Sequence, residues 1–203
     1  MQSYQRAEME RAEKERPRAE KKPPGAEEAA DLPRAEDDTS SEIAVAKSSA
    51  VVGSPAPDYK MEDANGKIWR LSDLQQKKNV LLTFFPRCFT ARCANHLSSL
   101  RDRQAEFDAA ETQILAVSVD PAEGPRGQIA FAKQWQLAFP LIPDTQRSLS
   151  KLYGAVRNDN QLAARMTILI DKEGVVRFVD TNVNVQTHGD DMLAVMRKLG
   201  MIR

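Results

Sequence analysis

Phe84-Phe85-Pro86-Arg87-Cys88-Phe89-Thr90-Ala91-Arg92-Cys93 contains both cysteines of the chain and joins two segments of different periodicity. Upstream, Asn79-Val80-Leu81-Leu82-Thr83-Phe84-Phe85 is a nearly continuous apolar run, which predicts a buried strand stopped by Pro86. Downstream, Leu97, Leu100 and Phe107 recur at helical spacing and predict an amphipathic helix over about residues 91–110. Thr90 is a favoured N-cap residue, which makes Ala91, Arg92 and Cys93 the first three helical positions. Cys93 then stands in the first turn, beside backbone N–H groups and the positive end of the macrodipole, where a thiolate is favoured. Strand, proline turn, capped helix and first-turn cysteine describe a redox or acyl-transfer nucleophile.

Outward from this stretch the chain alternates strands and helices. Residues 59–61 and 67–70 flank Asn65-Gly66, which predicts a hairpin with a type I′ turn, and Ser72 is placed to cap a short turn after it. Residues 113–119 form a second buried strand ended by Asp120-Pro121. Residues 127–135 carry Ile129, Phe131, Ala132 and Trp135 on a helical face, with Trp135 read as a packing residue. A short helix follows over residues 146–153. Residues 166–170 and 175–179 surround Asp171-Lys172-Glu173-Gly174 as an antiparallel hairpin, and a helix over residues 189–199 ends at Gly200. This order predicts an α/β fold whose central mixed sheet is covered by helices on both faces.

Residues 1–50 differ in kind. They carry nine Lys/Arg and twelve Asp/Glu, four prolines and few large apolar residues, so they read as a disordered charged extension, with residues 51–203 as the folded domain. The net charge is −3 over the first part and +3 over the second. Neither value describes a nucleic-acid surface or a polybasic membrane patch. No apolar run approaches the roughly 18–20 residues of a membrane span, and the first thirty residues lack the apolar centre of a signal peptide. Two cysteines five residues apart make no secreted-type disulfide framework. No Cys-x-x-Cys or His-x-x-x-His spacing offers a metal site. The expectation is a cytoplasmic protein without a metal or cofactor.

Pro86, Thr90 and Cys93 match the Pro-x-x-x-Thr-x-x-Cys signature, so the chain resembles the peroxiredoxins, the alkyl hydroperoxide reductase and thiol-specific antioxidant family. The resemblance runs from about residue 52 to the C-terminus. It includes Val52-Gly53-Ser54-Pro55-Ala56-Pro57-Asp58, Leu71-Ser72-Asp73-Leu74, Phe139-Pro140-Leu141-Ile142-Pro143-Asp144 and Arg165-Met166-Thr167-Ile168-Leu169-Ile170-Asp171. It implies a thioredoxin-like fold and a thiol-dependent peroxidase acting on hydrogen peroxide or small organic hydroperoxides. Cys93 would be the peroxidatic cysteine that becomes a sulfenic acid, and Thr90 the hydroxyl beside sulfur and peroxide. Pro86 would wall the pocket against water, and Arg165 would bring a guanidinium beside the thiolate. The implied partners are a peroxide and a thiol reductant such as thioredoxin, glutaredoxin or a low-molecular-weight thiol, with the chain a monomer or homodimer.

Two positions depart from the family pattern. Many members place Glu or Gln three residues after the nucleophile, where this chain has His96, and positions i and i+3 share a helix face. A protonated imidazole there would favour thiolate, a neutral one could act as a base, and plain packing is the third reading. A peroxiredoxin Q-like resolving cysteine five residues after the nucleophile is replaced by Ser98, whereas Cys88 lies five residues before it. A one-cysteine cycle with an external thiol is expected, because pairing Cys88 with Cys93 would require the first helical turn to open. The alternatives are a thiol–disulfide oxidoreductase using Cys88 and Cys93, and a redoxin-like binding module with little turnover.

Overall fold

The computed structural model describes residues 50–156, 158 and 161–202. The extension expected over residues 1–50 lies outside these, apart from Ala50, which is already buried against the core.

The expected α/β architecture is present. A hairpin of β1 (Met61–Glu62) and β2 (Ile68–Trp69) precedes α1 (Leu71–Leu74), β3 (Asn79–Phe84), α2 (Ala91–Arg101) and α3 (Gln104–Ala109). There follow β4 (Thr112–Ser118), α4 (Gln128–Trp135), β5 (Leu141–Pro143), α5 (Ser148–Leu152), β6 (Met166–Ile170), β7 (Val176–Asp180) and α6 (His188–Lys198). Five strands form one sheet in the order β5-β4-β3-β6-β7. β3, β4 and β5 are parallel, while β6 and β7 add antiparallel. β3 is central and fully buried. Its alternate residues Val80, Leu82 and Phe84 enter one core with Tyr153 and Leu149, and Leu81 and Phe85 enter the other with Leu97, Leu100, Phe131 and Met192.

Local differences from the sequence reading have identifiable causes. The helix expected over residues 91–110 breaks between Arg101 and Gln104, where Arg103 leaves helical geometry and its N–H bonds to Leu100 O. The break still delivers Phe107 to the core of Leu97 and Leu100. The first hairpin closes through a loop at 64–66 in which Gly66 takes φ 85° and Asn65 has no positive φ, so the turn is not type I′. Asp63 organises it, accepting from Asn65 N, Lys67 N and Trp69 Nε1. Ser72 does not cap α1. Asp58 Oδ1 does, accepting from the Leu71 and Ser72 N–H groups. On α4 the buried face is Gln128 and Phe131, with half-buried Trp135 packed beside them, and Ile129 points outward, 40% exposed. β5 has only three residues, too few for periodicity to reveal.

Two predictions follow from the packing of α6. A Cβ on Gly189 would overlap Ser99 O of α2, and the Gly189 N–H already bonds to Ser99 Oγ at 3.0 Å. Gly189→Ala therefore loses about 1–3 kcal/mol through overpacking, against the roughly 1 kcal/mol that Ala for Gly gains in an exposed helix. Denaturant unfolding measures the sign. His96 and His188 are both fully buried, and burial is the main reason both are held neutral, His188 down at about 4 and His96 well below 6.5. The unfolded chain therefore binds more protons than the native one below about pH 6.5, and each histidine removes up to about 1.4 kcal/mol per pH unit as the pH falls. Asp180, whose carboxyl burial pushes up, opposes this with one group against two. The urea midpoint is expected to be lower at pH 5 than at pH 7.5.

Candidate active site

β3 ends at Phe84, and Phe85 N–H still bonds across to Val117 O before Pro86 turns the chain out of the sheet. Phe89 then adopts φ 58°, left-handed backbone that is uncommon outside glycine, with its ring edge-on to Phe131 at 5.3 Å. Thr90 has the extended backbone of an N-cap, φ −103° and ψ 140°, and its carbonyl accepts from Cys93 N and Ala94 N. Its hydroxyl makes no capping bond and donates instead to Arg87 O at 3.2 Å. Cys93 thus stands in the first turn of α2, as expected, with only 1% of its surface exposed.

Arg165, immediately before β6, reaches this turn from the strand paired with β3. Its Nη2 donates to Cys93 Sγ at 3.4 Å and its Nη1 lies 3.1 Å from His96 Nδ1. A guanidinium only donates, so His96 Nδ1 is the acceptor, and the neutral ring carries its hydrogen on Nε2. That hydrogen points to Thr83 Oγ1 at 3.3 Å. Of the readings open for His96, the cation and the base both fail, because its one lone pair is engaged by Arg165. Beyond it, Thr83 Oγ1 lies 2.7 Å from Thr167 Oγ1, which lies 2.9 Å from His188 Nε2. The two imidazoles meet edge to face at 4.8 Å.

Cys88 faces a different group. Its N–H donates to Asp120 Oδ2 at 2.8 Å, and the same oxygen accepts from Ser118 Oγ at 2.9 Å. Burial first, then the Asp120 charge and hydrogen bond, push the Cys88 thiol far up, away from thiolate. Cys88 and Cys93 are both free. Arg87 and Arg92 are exposed. Ser98, at the position of the missing resolving cysteine, turns a buried hydroxyl inward.

Structure thus brings Cys93, Arg165 and His96 into direct contact and sets Pro86 and Thr90 on the turn that leads into Cys93. Thr83, Thr167, His188 and Asp120 were not singled out from sequence. A signal existed for two of them: Thr83 and Thr167 are the lone hydroxyls in strands of apolar residues. That they face each other follows from the β3–β6 register, which sequence does not state. Among the described residues, no cluster of three or more His, Cys, Asp or Glu is placed to hold a metal, and no helix is long and apolar enough to cross a membrane.

Comparison with known proteins agrees with this geometry. The profile of the AhpC/TSA family matches residues 52–179. Alkyl hydroperoxide reductase E of Mycobacterium tuberculosis is 36% identical over 131 residues, covering 64% of this chain and 84% of that protein. The chloroplastic 2-Cys peroxiredoxin BAS1 of Arabidopsis thaliana is 31% identical over 161 residues, covering 75% of this chain and 60% of that protein. Among solved structures, peroxidoxin BcpB of Mycobacterium tuberculosis superposes with a TM-score of 0.65 at 28% identity, covering 72% of this chain and 96% of that one. The PrxQ of Xylella fastidiosa shares the fold, with a TM-score of 0.68 at 18% identity, covering 74% of this chain and 97% of that one. With a first-turn cysteine under a half-buried guanidinium on a thioredoxin-like sheet, the chain belongs to the AhpC/TSA family, the peroxiredoxins, whose members are thiol-dependent peroxidases.

Proposed function

We propose that Cys93 is the peroxidatic residue of a one-cysteine peroxidase for hydrogen peroxide or small organic hydroperoxides. The observation that carries this reading is the Arg165 Nη2 contact with Cys93 Sγ, a charge-assisted hydrogen bond inside a buried first turn. The sulfur attacks one peroxide oxygen as thiolate. The S–O bond forms as the O–O bond breaks, and the second oxygen leaves with a proton as water or alcohol. The sulfur is oxidised to sulfenic acid. Two external thiols restore it: the first displaces water to form a mixed disulfide, and the second releases the cysteine. Thioredoxin, glutaredoxin or a low-molecular-weight thiol could serve. Thr90 and Pro86 line the approach to Cys93, and His96 holds Arg165 in place.

Cys88 is placed outside the cycle for two reasons. A resolving cysteine attacks as thiolate, and burial with Asp120 keeps Cys88 protonated. Its backbone is also fastened to Asp120, across the left-handed kink at Phe89 from the helix that holds Cys93. Residues 51–203 carry the whole of this chemistry, residues 1–50 forming an extension. Two free thiols without a disulfide framework suit the reducing cytoplasm.

Stopped-flow oxidation and mass spectrometry of the product test this reading. Cys93→Ser is expected to abolish peroxide consumption, and substantial remaining activity would overturn the assignment. Removal of an electrostatic donor from a reacting centre typically costs about 10²–10³ in rate, and Arg165→Ala is expected to fall in that range. Cys88→Ser is expected to leave turnover nearly unchanged, with wild type and variant each gaining oxygen at Cys93 when reductant is withheld. Stoichiometric loss of two hydrogens from wild type would instead mean that a Cys88–Cys93 disulfide forms, and would favour the oxidoreductase reading.

A further inference from the structure

The contacts beneath Arg165 do not stop at His96. They continue through Thr83 and Thr167 to His188, and Asp180 faces the far end. Asp180 and His188 lie beyond residue 179, where the family match ends.

Counting hydrogens fixes the first step of this path, and the Asp180 carboxylate at the far end sets the direction of the rest. Arg165 Nη1 donates to His96 Nδ1, so His96 donates through Nε2–H to Thr83 Oγ1. Thr83 has one hydrogen of its own and two acceptors in reach, Thr167 Oγ1 at 2.7 Å and Met166 O at 3.5 Å. Donation to Thr167 has the better length, since the Met166 contact is at the outer limit of a hydrogen bond. Thr167 then passes its single hydrogen to His188 Nε2 at 2.9 Å. That leaves the His188 hydrogen on Nδ1, which faces Asp180 Oδ2 at 3.9 Å. A carboxylate opposite an N–H is favourable, whereas opposite a bare lone pair it is not. Reversing the Thr167 and His188 bonds would send the Thr83 hydrogen to Met166 O at 3.5 Å and leave the His188 Nδ1 lone pair facing the Asp180 carboxylate.

We propose that Thr83, Thr167 and His188 are positioning residues, a one-way hydrogen-bond relay that locks His96 in the tautomer whose lone pair holds Arg165 against Cys93. This rests on the roles proposed above for Cys93 and Arg165. The geometry suits the task. Thr83 and Thr167 are directly paired residues of β3 and β6, so the rigid centre of the sheet sets their spacing. His96 and His188 come from α2 and α6, which touch at Gly189. The charged groups around the relay are Arg165 at one end and Asp180 with Asp191 at the other, the latter two acting on His188 by proximity and charge. No member of the relay touches the sulfur, so each acts only through His96.

The nitrogen-15 shifts of the two imidazoles in the full-length wild-type protein at pH 7 test the order directly. His96 is expected to carry hydrogen on Nε2 and His188 on Nδ1. A His96 with hydrogen on Nδ1, or a His188 with hydrogen on Nε2, overturns the relay. Stopped-flow oxidation tests the consequence. Misplacement of a catalytic group by about 1 Å costs roughly 10²-fold, so Thr83→Val is expected to slow oxidation by about 10–100-fold. Thr83→Ser, which keeps the hydroxyl, is expected to restore the wild-type rate and tautomer. A folded Thr83→Val as fast as wild type, or a Thr83→Ser as slow as Thr83→Val, overturns the proposal. If Thr83→Val does not fold, the wild-type shifts decide alone. A wild-type protein that ignores peroxide would overturn the Cys93 assignment and the relay with it. A reactive wild type with an indifferent Thr83→Val overturns the relay alone.

Discussion

One guanidinium holds the site together. Arg165 divides its donors between Cys93 Sγ and His96 Nδ1, and so ties the strand end before β6 to two successive positions on the inner face of α2. A fork of fixed geometry makes the two contacts interdependent, because moving either acceptor turns the plane that serves the other. The fold is arranged to keep those acceptors still. β3 is buried along its full length at the middle of the sheet, β6 pairs with it over five registered positions, and α2 packs Leu97 and Leu100 into the core below.

The turn that leads into Cys93 is fastened from elsewhere. Asp120, just past β4, takes the Cys88 N–H and the Ser118 hydroxyl on one oxygen, so the loop after β3 is held by the neighbouring strand. Two cysteines close in sequence thus stand in different surroundings. Cys88 belongs to the β4 anchor and Cys93 to the helix, with the left-handed Phe89 between them.

Much of this was legible in the sequence, where residue type and local period carry the information. The apolar run before Pro86 gave β3, and the Thr90–Cys93 spacing gave the first-turn thiol. Arg165, a cation opening an otherwise apolar strand, reached the sulfur as its match to the family suggested. What sequence left open was decided by contacts distant along the chain. His96 offered three readings because its partners Arg165 and Thr83 come from other strands. Asp58 displaced Ser72 as the cap of α1, and the Thr90 hydroxyl turned to Arg87 O, since a side chain takes whichever partner the tertiary fold brings nearer. The single helix expected after Cys93 broke at Arg103, whose guanidinium is drawn to Asp190 on α6 at 2.8 Å.

A neutral imidazole at His96, where the family pattern has Glu or Gln, changes the electrical balance of the proposed cycle. With Glu in that place, Arg165 would already be neutralised, and an ionised sulfur would bring the pocket to one negative charge. With His96, the thiolate and Arg165 form an electroneutral pair. Once the sulfur becomes an uncharged sulfenic acid, the guanidinium is left with no counter-ion at Cys93 or His96. A half-buried cation without its anion is costly. In the proposed cycle, oxidation at Cys93 would thus unpair the very cation that the reduced sulfur had matched.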